Sequence, residues 1–304
     1  MSDLIHYTSC PACASTALKN VFQVKDHTVS GETFPIVECE NCSLRFTQDV
    51  PGVNAIAPYY KSDNYISHTN TASGLINRLY HVVRRRTLGS KRKLIQRITG
   101  HERGKLLDVG SGTGSFVNEM SQNQWDVMGL EPDADARRVS KELYGLELSD
   151  TSQLFNLPAG HFDAITLWHV LEHVHDLHAY LQQLKTVLHE NGKLFIAVPN
   201  YTSHDAEVYA ENWAAYDVPR HLYHFSPRSV EQLMSKHGLK ISEYLPMWYD
   251  SFYISLMSSK YRNQAKGRPA KSDWISSFWS GLSSNWKALG DRKRCSSVIY
   301  VITK

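Results

Sequence analysis

The chain has 304 residues, 42% of them hydrophobic, and a formal net charge of +3, proportions that suit one large α/β domain plus a smaller module. Mean hydropathy is −0.38 and no apolar run reaches about eighteen residues, which excludes a spanning helix; the start, MSDLIHYTSCPAC, lacks the basic and apolar regions of a secretory signal. A cytoplasmic location is the expectation.

Residues 1–49 carry Cys10 and Cys13 in CPAC and Cys39 and Cys42 in CENC, with short β-like runs such as FPIVEC between them. Duplicated CxxC pairs about 25 residues apart fit a zinc ribbon, in which four thiolates close a tetrahedral structural site. A module this small has little core, so the metal would supply much of its folding energy. Iron would satisfy the same four sulfurs, and a redox dithiol is the competing reading. Cys295 stands alone and is expected to be inert.

Residues 50–100 form a cap or linker. Turn-forming residues surround Tyr59, Tyr60 and Tyr65, and a helix is expected from Leu75 to about Thr99, with Leu75, Leu79, Val82 and Val83 at helical spacing. Arg84, Arg85 and Arg86 and then Lys91, Arg92 and Lys93 make this helix basic, either as a solvated face or as a surface for an anionic partner.

From residue 101 onward, strand and helix signals alternate. KLLDVG, WDVMGLE, FDAITLW, KLFIAVP, LKISEYLPM and SSVIYVITK read as strands. Between them, SFVNEMSQ begins a helix, Asp133 and Gly145 cap a second, Gly192 is expected to end a third, and Ser226 with Pro227 opens a fourth. Repeated β-α units with apolar strands imply a doubly wound, Rossmann-like, mainly parallel sheet.

The first strand runs into Asp108-x-Gly110-x-Gly112-x-Gly114. A dinucleotide fingerprint would need a third glycine at position 115, which is Ser115, and a P-loop would need Gly-Lys-Ser/Thr, which is missing. The turn instead offers bare backbone beside a carboxylate, suited to a cationic nucleoside. Glu131, at the tip of the second strand, is placed to accept both hydroxyls of a ribose.

These stretches, LLDVGSGTGSF, GLEPD, FDAITLWHVLEHV and LKTVLHENGKLFIAVPN, resemble in order the motifs of the class I S-adenosylmethionine-dependent methyltransferases. The likeness covers roughly residues 105–245, and the ribbon with its tyrosine segment resembles a branch that includes sugar and other small-molecule methyltransferases. It implies a seven-stranded sheet and S-adenosyl-L-methionine as donor, held by Asp108, Gly110, Ser111, Gly112 and Glu131, with Tyr60 and its neighbouring tyrosines closing over it.

The acceptor is expected at the carboxyl ends of the strands. His169 and His221 are the candidate catalytic residues, since a base is needed if the acceptor must lose a proton. Tyr216 and Arg220 are candidate substrate contacts, with Arg220 suited to an anionic acceptor. Glu172 and His173 read as local capping residues, and His224 as structural. The sugar C-methyltransferases that the chain resembles carry Tyr and Glu where Val218 and Arg220 stand here, which favours O-methylation of a small molecule, sugar-linked or lipid-linked.

A helical insertion is expected at about 250–294, where Trp274, Phe278, Trp279, Leu282, Trp286 and Leu289 form a stripe: packing against its own domain, a lid, or a peripheral membrane contact. Two other functions stay open. One is a nucleic-acid or protein methyltransferase, against which the small net charge argues; the other is a non-enzymatic donor-binding protein. The oligomeric state is not legible.

Overall fold

The computed structural model describes residues 4–60 and 75–304, with side chains of the helix α1 (Leu75–Thr99) from residue 86 onward. Its described residues divide into two units: residues 4–60, 171–178 and 197–300 form the first, and residues 75–170, 179–196 and 301–304 the second. The strands β9 (Leu188–Pro199) and β12 (Ser297–Thr303) give residues to both.

The second unit is built on β6 (Lys105–Val109), which lies parallel to β7 (Asp126–Leu130) in the register Leu106↔Val127 and to β8 (Phe162–Trp168) in the register Leu106↔Ala164. Four of the five β6 residues are buried, Leu106, Leu107 and Val109 with the acid Asp108 among them, as in a strand covered on both faces. The helix α2 (Ser115–Gln122) follows the glycine turn and buries Phe116, Val117 and Met120. In α3 (Ala134–Tyr144) the Asp133 side chain accepts from the Asp135 amide and Gly145 closes the end at φ 68, both as the sequence suggests.

Among the described residues the central sheet has six strands, in the order β11 (Lys240–Pro246), β12, β9, β8, β6, β7, rather than the seven expected. The edge position beyond β7 is held by one parallel bridge, Leu130↔Ser149. The Ser149 amide donates to Gly129 and its carbonyl accepts from Glu131, after which Asp150 caps a short 3₁₀ turn, so the segment ends before a strand can form. A second departure is α4 (Leu177–Val187), which stops five residues short of Gly192. The amides of Gly160 and His161 donate to the carbonyls of Thr186 and Val187, so the helix end is satisfied from outside and the chain turns into β9.

The first unit contains a four-stranded antiparallel sheet ordered β10 (Tyr223–His224), β4 (Arg45–Thr47), β3 (Thr33–Cys39), β2 (Leu18–Lys25), and a short pair of β1 (Leu4–Ile5) with β5 (Val50–Pro51). Its core gathers Phe34, Ile36, Tyr209, Trp213, Tyr216 and Val218. Four helices belong to it: α5 (His204–Tyr209), α6 (Pro227–Lys236), α7 (Asp250–Ala265) and α8 (Trp274–Gly290). Ser226 opens α6 with a capping box, its hydroxyl accepting from the Ser229 amide while the Ser229 hydroxyl accepts from the Ser226 amide.

Candidate active site

In the second unit, β6 delivers Asp108 into a fully buried position where Thr166 Oγ1 donates to Asp108 Oδ1 at 2.5 Å. Burial pushes the Asp108 carboxyl up to about 6, against the Thr166 hydrogen bond and the nearby positive charge of Lys91. Lys91 itself lies over the Trp168 ring at 4.1 Å, and Arg92 pairs with Glu119 at 2.9 Å. These two cations of the basic helix are therefore engaged within the unit rather than forming a solvated face. Arg84 and Arg85 lie outside the described side chains.

The turn after β6 is fixed by Gly110 and Ser111, whose amides both donate to the Leu130 carbonyl; the Ser111 hydroxyl donates back to the Asp108 carbonyl at 2.8 Å. Gly110 has φ 73, and a Cβ there would meet Val170 Cγ2 at 2.4 Å, so packing demands glycine. At Gly112, φ is 52 and a Cβ would meet nothing within 4 Å: this is the open face of the turn. Glu131 binds it from β7, accepting the Gly112 amide at 2.7 Å on one oxygen and the Asp133 amide at 3.0 Å on the other. Each carboxylate oxygen keeps a lone pair for a further donor. Asp108, Gly110, Ser111, Gly112 and Glu131 are thus assembled as one cradle. Open backbone at Gly112 and hydroxyl-accepting oxygens at Glu131 fit S-adenosylmethionine by the chemistry of the donor set.

His169 also belongs to this unit, directly after β8, and holds a left-handed φ of 58 that a non-glycine residue seldom adopts. His221 belongs to the first unit.

There, the main finding is a pair that the sequence reading did not assemble. The His173 and His221 rings meet edge to face at 4.6 Å between centroids. His173 Nδ1 donates to the Arg220 carbonyl at 3.0 Å, with the Tyr60 hydroxyl at 3.1 Å, and His221 Nδ1 donates to the Ala215 carbonyl at 2.8 Å. A carbonyl only accepts, so Nδ1 is the donor in both rings and Nε2 is the nitrogen left facing away from these carbonyls. Burial and the neighbouring His221 lower His173 to about 4, which keeps it neutral. Asp217 Oδ2 stands 4.0 Å from His221 Nε2. Glu172 is wholly buried beside the pair, and one donor atom from each of Glu172, His173 and His221 lies within 4.8 Å of the others, a grouping that could hold a metal ion. The sequence cue was the Glu172-His173 dipeptide, which reads equally well as a helix start.

Two expected substrate contacts lie among protein partners. Arg220 is 1% exposed, and its guanidinium binds Asp26 Oδ1 at 2.9 Å, Asp217 Oδ1 at 2.6 Å and the Tyr59 carbonyl at 2.9 Å. Every arm of the guanidinium is thus engaged by protein acceptors. Tyr216 is equally buried, its hydroxyl accepting from Arg45 at 2.9 Å and its ring packed on Trp213. Tyr60 sits on His173 within the first unit, and the Tyr59 hydroxyl donates to Glu32 at 2.6 Å; Tyr65 lies outside the described residues. His224 is buried, with Nε2 3.0 Å from Thr47 Oγ1.

The four ribbon cysteines come together in the first unit: Cys10 and Cys42 sulfurs are 3.5 Å apart, as are Cys13 and Cys39, and all four lie within 4.8 Å of one another. Tetrahedral Zn–S bonds near 2.3 Å require sulfurs separated by about 3.8 Å. The cluster matches that geometry, so these residues fit a zinc ion.

Residues 83–244 match the model of a family described as a methyltransferase domain. Among curated relatives, the chain is 25% identical over 181 residues to the mitochondrial ubiquinone biosynthesis O-methyltransferase of Rattus norvegicus, covering 52% of each chain. It is 26% identical over 160 residues to the ubiquinone biosynthesis O-methyltransferase of Xanthomonas axonopodis pv. citri, covering 48% of this chain and 66% of that one. The chain spans about half the length of the first curated relatives it matches. A solved S-adenosylmethionine-dependent methyltransferase from Archaeoglobus fulgidus aligns with a TM-score of 0.45 at 14% identity, over 71% of this chain and 94% of that one.

Proposed function

The chain belongs to the methyltransferase-domain family and is a class I S-adenosylmethionine-dependent methyltransferase, and from that premise we propose that it methylates an oxygen of a small-molecule acceptor, with a histidine as base. The observation that carries this reading is the His173–His221 pair, two imidazoles each held by Nδ1 on a backbone carbonyl, so that Nε2 is the nitrogen not bound to it. O-methylation needs such a group, because the acceptor hydroxyl must lose its proton as the new C–O bond forms, whereas the donor's sulfonium already activates the methyl carbon. The named activity of the ubiquinone O-methyltransferases, relatives at 25–26% identity, supports the same class of acceptor.

In this reading the cradle of Asp108, Gly110, Ser111, Gly112 and Glu131 holds S-adenosylmethionine, which supplies the methyl group. His221 takes the acceptor proton at Nε2, with Asp217 stabilising the cation that results, and Tyr60 orients His173 beside it. His169 remains a second base to be tested. Arg220 acts through its carbonyl on His173 and is a positioning residue. Zinc at Cys10, Cys13, Cys39 and Cys42 is structural.

The test is an acceptor screen with methyl-labelled donor, followed by His221→Ala and His169→Ala. His221→Ala should lose about 10²–10⁴-fold in turnover while donor affinity, read by calorimetry, barely changes. Donor binding with no transfer to any hydroxyl acceptor would favour the non-enzymatic alternative. Full turnover of His221→Ala would remove the base from the proposal.

A further inference from the structure

The helices α7 and α8 are packed inside out. On α8 the buried residues are Ser277, Gly281, Ser284 and Ala288, and on α7 they include Ser251, Ser255, Ser258 and Ser259. The bulky side chains face away: Trp274 is 71% exposed, Ile275 75%, Phe278 55%, Trp279 62%, Trp286 75% and Leu289 70%. At 3.6 residues per turn these six occupy an arc of about 140°, and the four small residues a separate arc of about 60°.

Polar pins hold α8 in this orientation. Ser284 Oγ donates to the buried Asp205 at 2.6 Å, and Asp205 also accepts from Trp213 and Ser296. Across the helix pair, Ser251 Oγ donates to Asn285 Oδ1 at 2.9 Å. A Cβ at Gly281 would come within 2.8 Å of the Phe252 ring, so the two helices approach as closely as glycine allows. Rotating the aromatic stripe inward would break these contacts and overfill the seam.

Small residues between helices with large apolar residues turned outward is the arrangement that helices adopt against lipid. The three exposed tryptophans alone, at about 200 Å² each, present roughly 400 Å², comparable to the largest patch on an ordinary monomer. Charge identifies the occupant. Residues 250–294 hold nine Lys or Arg against three Asp, +6 within a chain of total +3. Lys266, Arg268 and Lys271, all exposed, lead directly into Trp274, and Lys287 follows Trp286. A tryptophan-rich apolar face bordered by basic residues matches the interface of an anionic bilayer. Among the described residues no helix is long and apolar enough to cross a membrane, so the contact is interfacial.

We propose that α8, with the basic loop preceding it, docks this protein on the surface of anionic lipid membranes. The proposal stands apart from the identity of the methyl acceptor.

Co-sedimentation of the full chain with phosphatidylcholine vesicles, with and without phosphatidylglycerol, tests it. Binding should require the anionic lipid, fall with salt, and shift tryptophan emission to the blue. The triple variant Trp274→Ser, Trp279→Ser, Trp286→Ser should lose more than about tenfold in vesicle affinity. Neutralising Lys266, Arg268 and Lys271 to Gln should cost about fivefold per charge. Unchanged S-adenosylmethionine binding by both variants shows that they fold. Absence of vesicle binding by the native chain, or equal binding by the tryptophan variant, overturns the proposal. So does a concentration-dependent dimer that the tryptophan variant abolishes, since a second copy would then cover the face.

Discussion

Replacing Asp26 with asparagine should expose how much the buried Asp26–Arg220–Asp217 cluster contributes to the first unit. Asp26 Oδ1 lies 2.9 Å from Arg220 Nη2 with both side chains excluded from solvent, and the Thr28 and Ser30 amides also donate to its carboxylate. Burial alone would raise its pKa, but Arg220 and the turn amides reverse this and hold it near 2, against an ordinary 3.8. That difference corresponds to about 2 kcal/mol of stability at neutral pH. Removing one partner of a buried ion pair costs about 3–5 kcal/mol, and asparagine keeps part of the hydrogen bonding, so the expected loss is about 2–4 kcal/mol. The sign follows from the lowered pKa. The contribution is complete above the ordinary value of 3.8 and disappears as pH falls through about 2. Urea unfolding of native and Asp26→Asn protein should therefore show a gap that is constant from neutral pH down to about 5 and narrows below 4. A gap under about 1 kcal/mol at pH 7, or one that widens on acidification, would refute the electrostatic account.

Asp108→Asn should act in the opposite direction. Asp108 is raised to about 6 by burial, so its ionised form opposes folding increasingly as pH climbs past 4. The asparagine variant should gain about 1–3 kcal/mol at pH 8, with the gain fading below pH 4, while S-adenosylmethionine binding weakens; an unstabilised variant in urea at pH 8 would contradict this. For the cysteine cluster, elemental analysis should give a zinc-to-protein ratio near one, and Cys39→Ser should abolish it and lower the unfolding temperature. A metal-free chain of undiminished stability would show that the thiols pack without an ion.

The glycine turn after β6 and its Glu131 contact were legible in the sequence because backbone geometry dictates them. Left-handed turns and close approaches demand glycine at Gly110 and Gly112, and an acid must end the next strand, so the residue types and their spacing carry the information. Strand positions followed from runs such as FDAITLW, which coincides with β8. What depended on tertiary partners was not legible. Arg220 reads as an exposed ligand for anions until Asp26, 194 positions away, is seen to enclose it. His173 looks like a helix cap until the loop of residues 215–221 supplies its carbonyl and the second imidazole. The early end of α4 is decided by hydrogen bonds from residues 160 and 161, whereas the strand expected beyond β7 stops at a local cap, the Asp150 side chain on the Ser152 amide.

The four-stranded sheet of the cysteine module is completed by Tyr223 and His224, which pair with Phe46 and Arg45. In the same place Thr47 Oγ1 donates to the His221 carbonyl, a contact spanning 174 positions of sequence. During synthesis the module therefore emerges from the ribosome with β4 as a bare edge, and it stays so until most of the second unit has been translated. A bare edge is an invitation to wrong pairing, and a chaperone or early metal capture would have to guard it in that interval. For the same reason residues 1–49 expressed alone should behave as an aggregation-prone fragment even with all four cysteines satisfied, and a chain truncated before residue 223 should fail in its first fifty residues as well as its last.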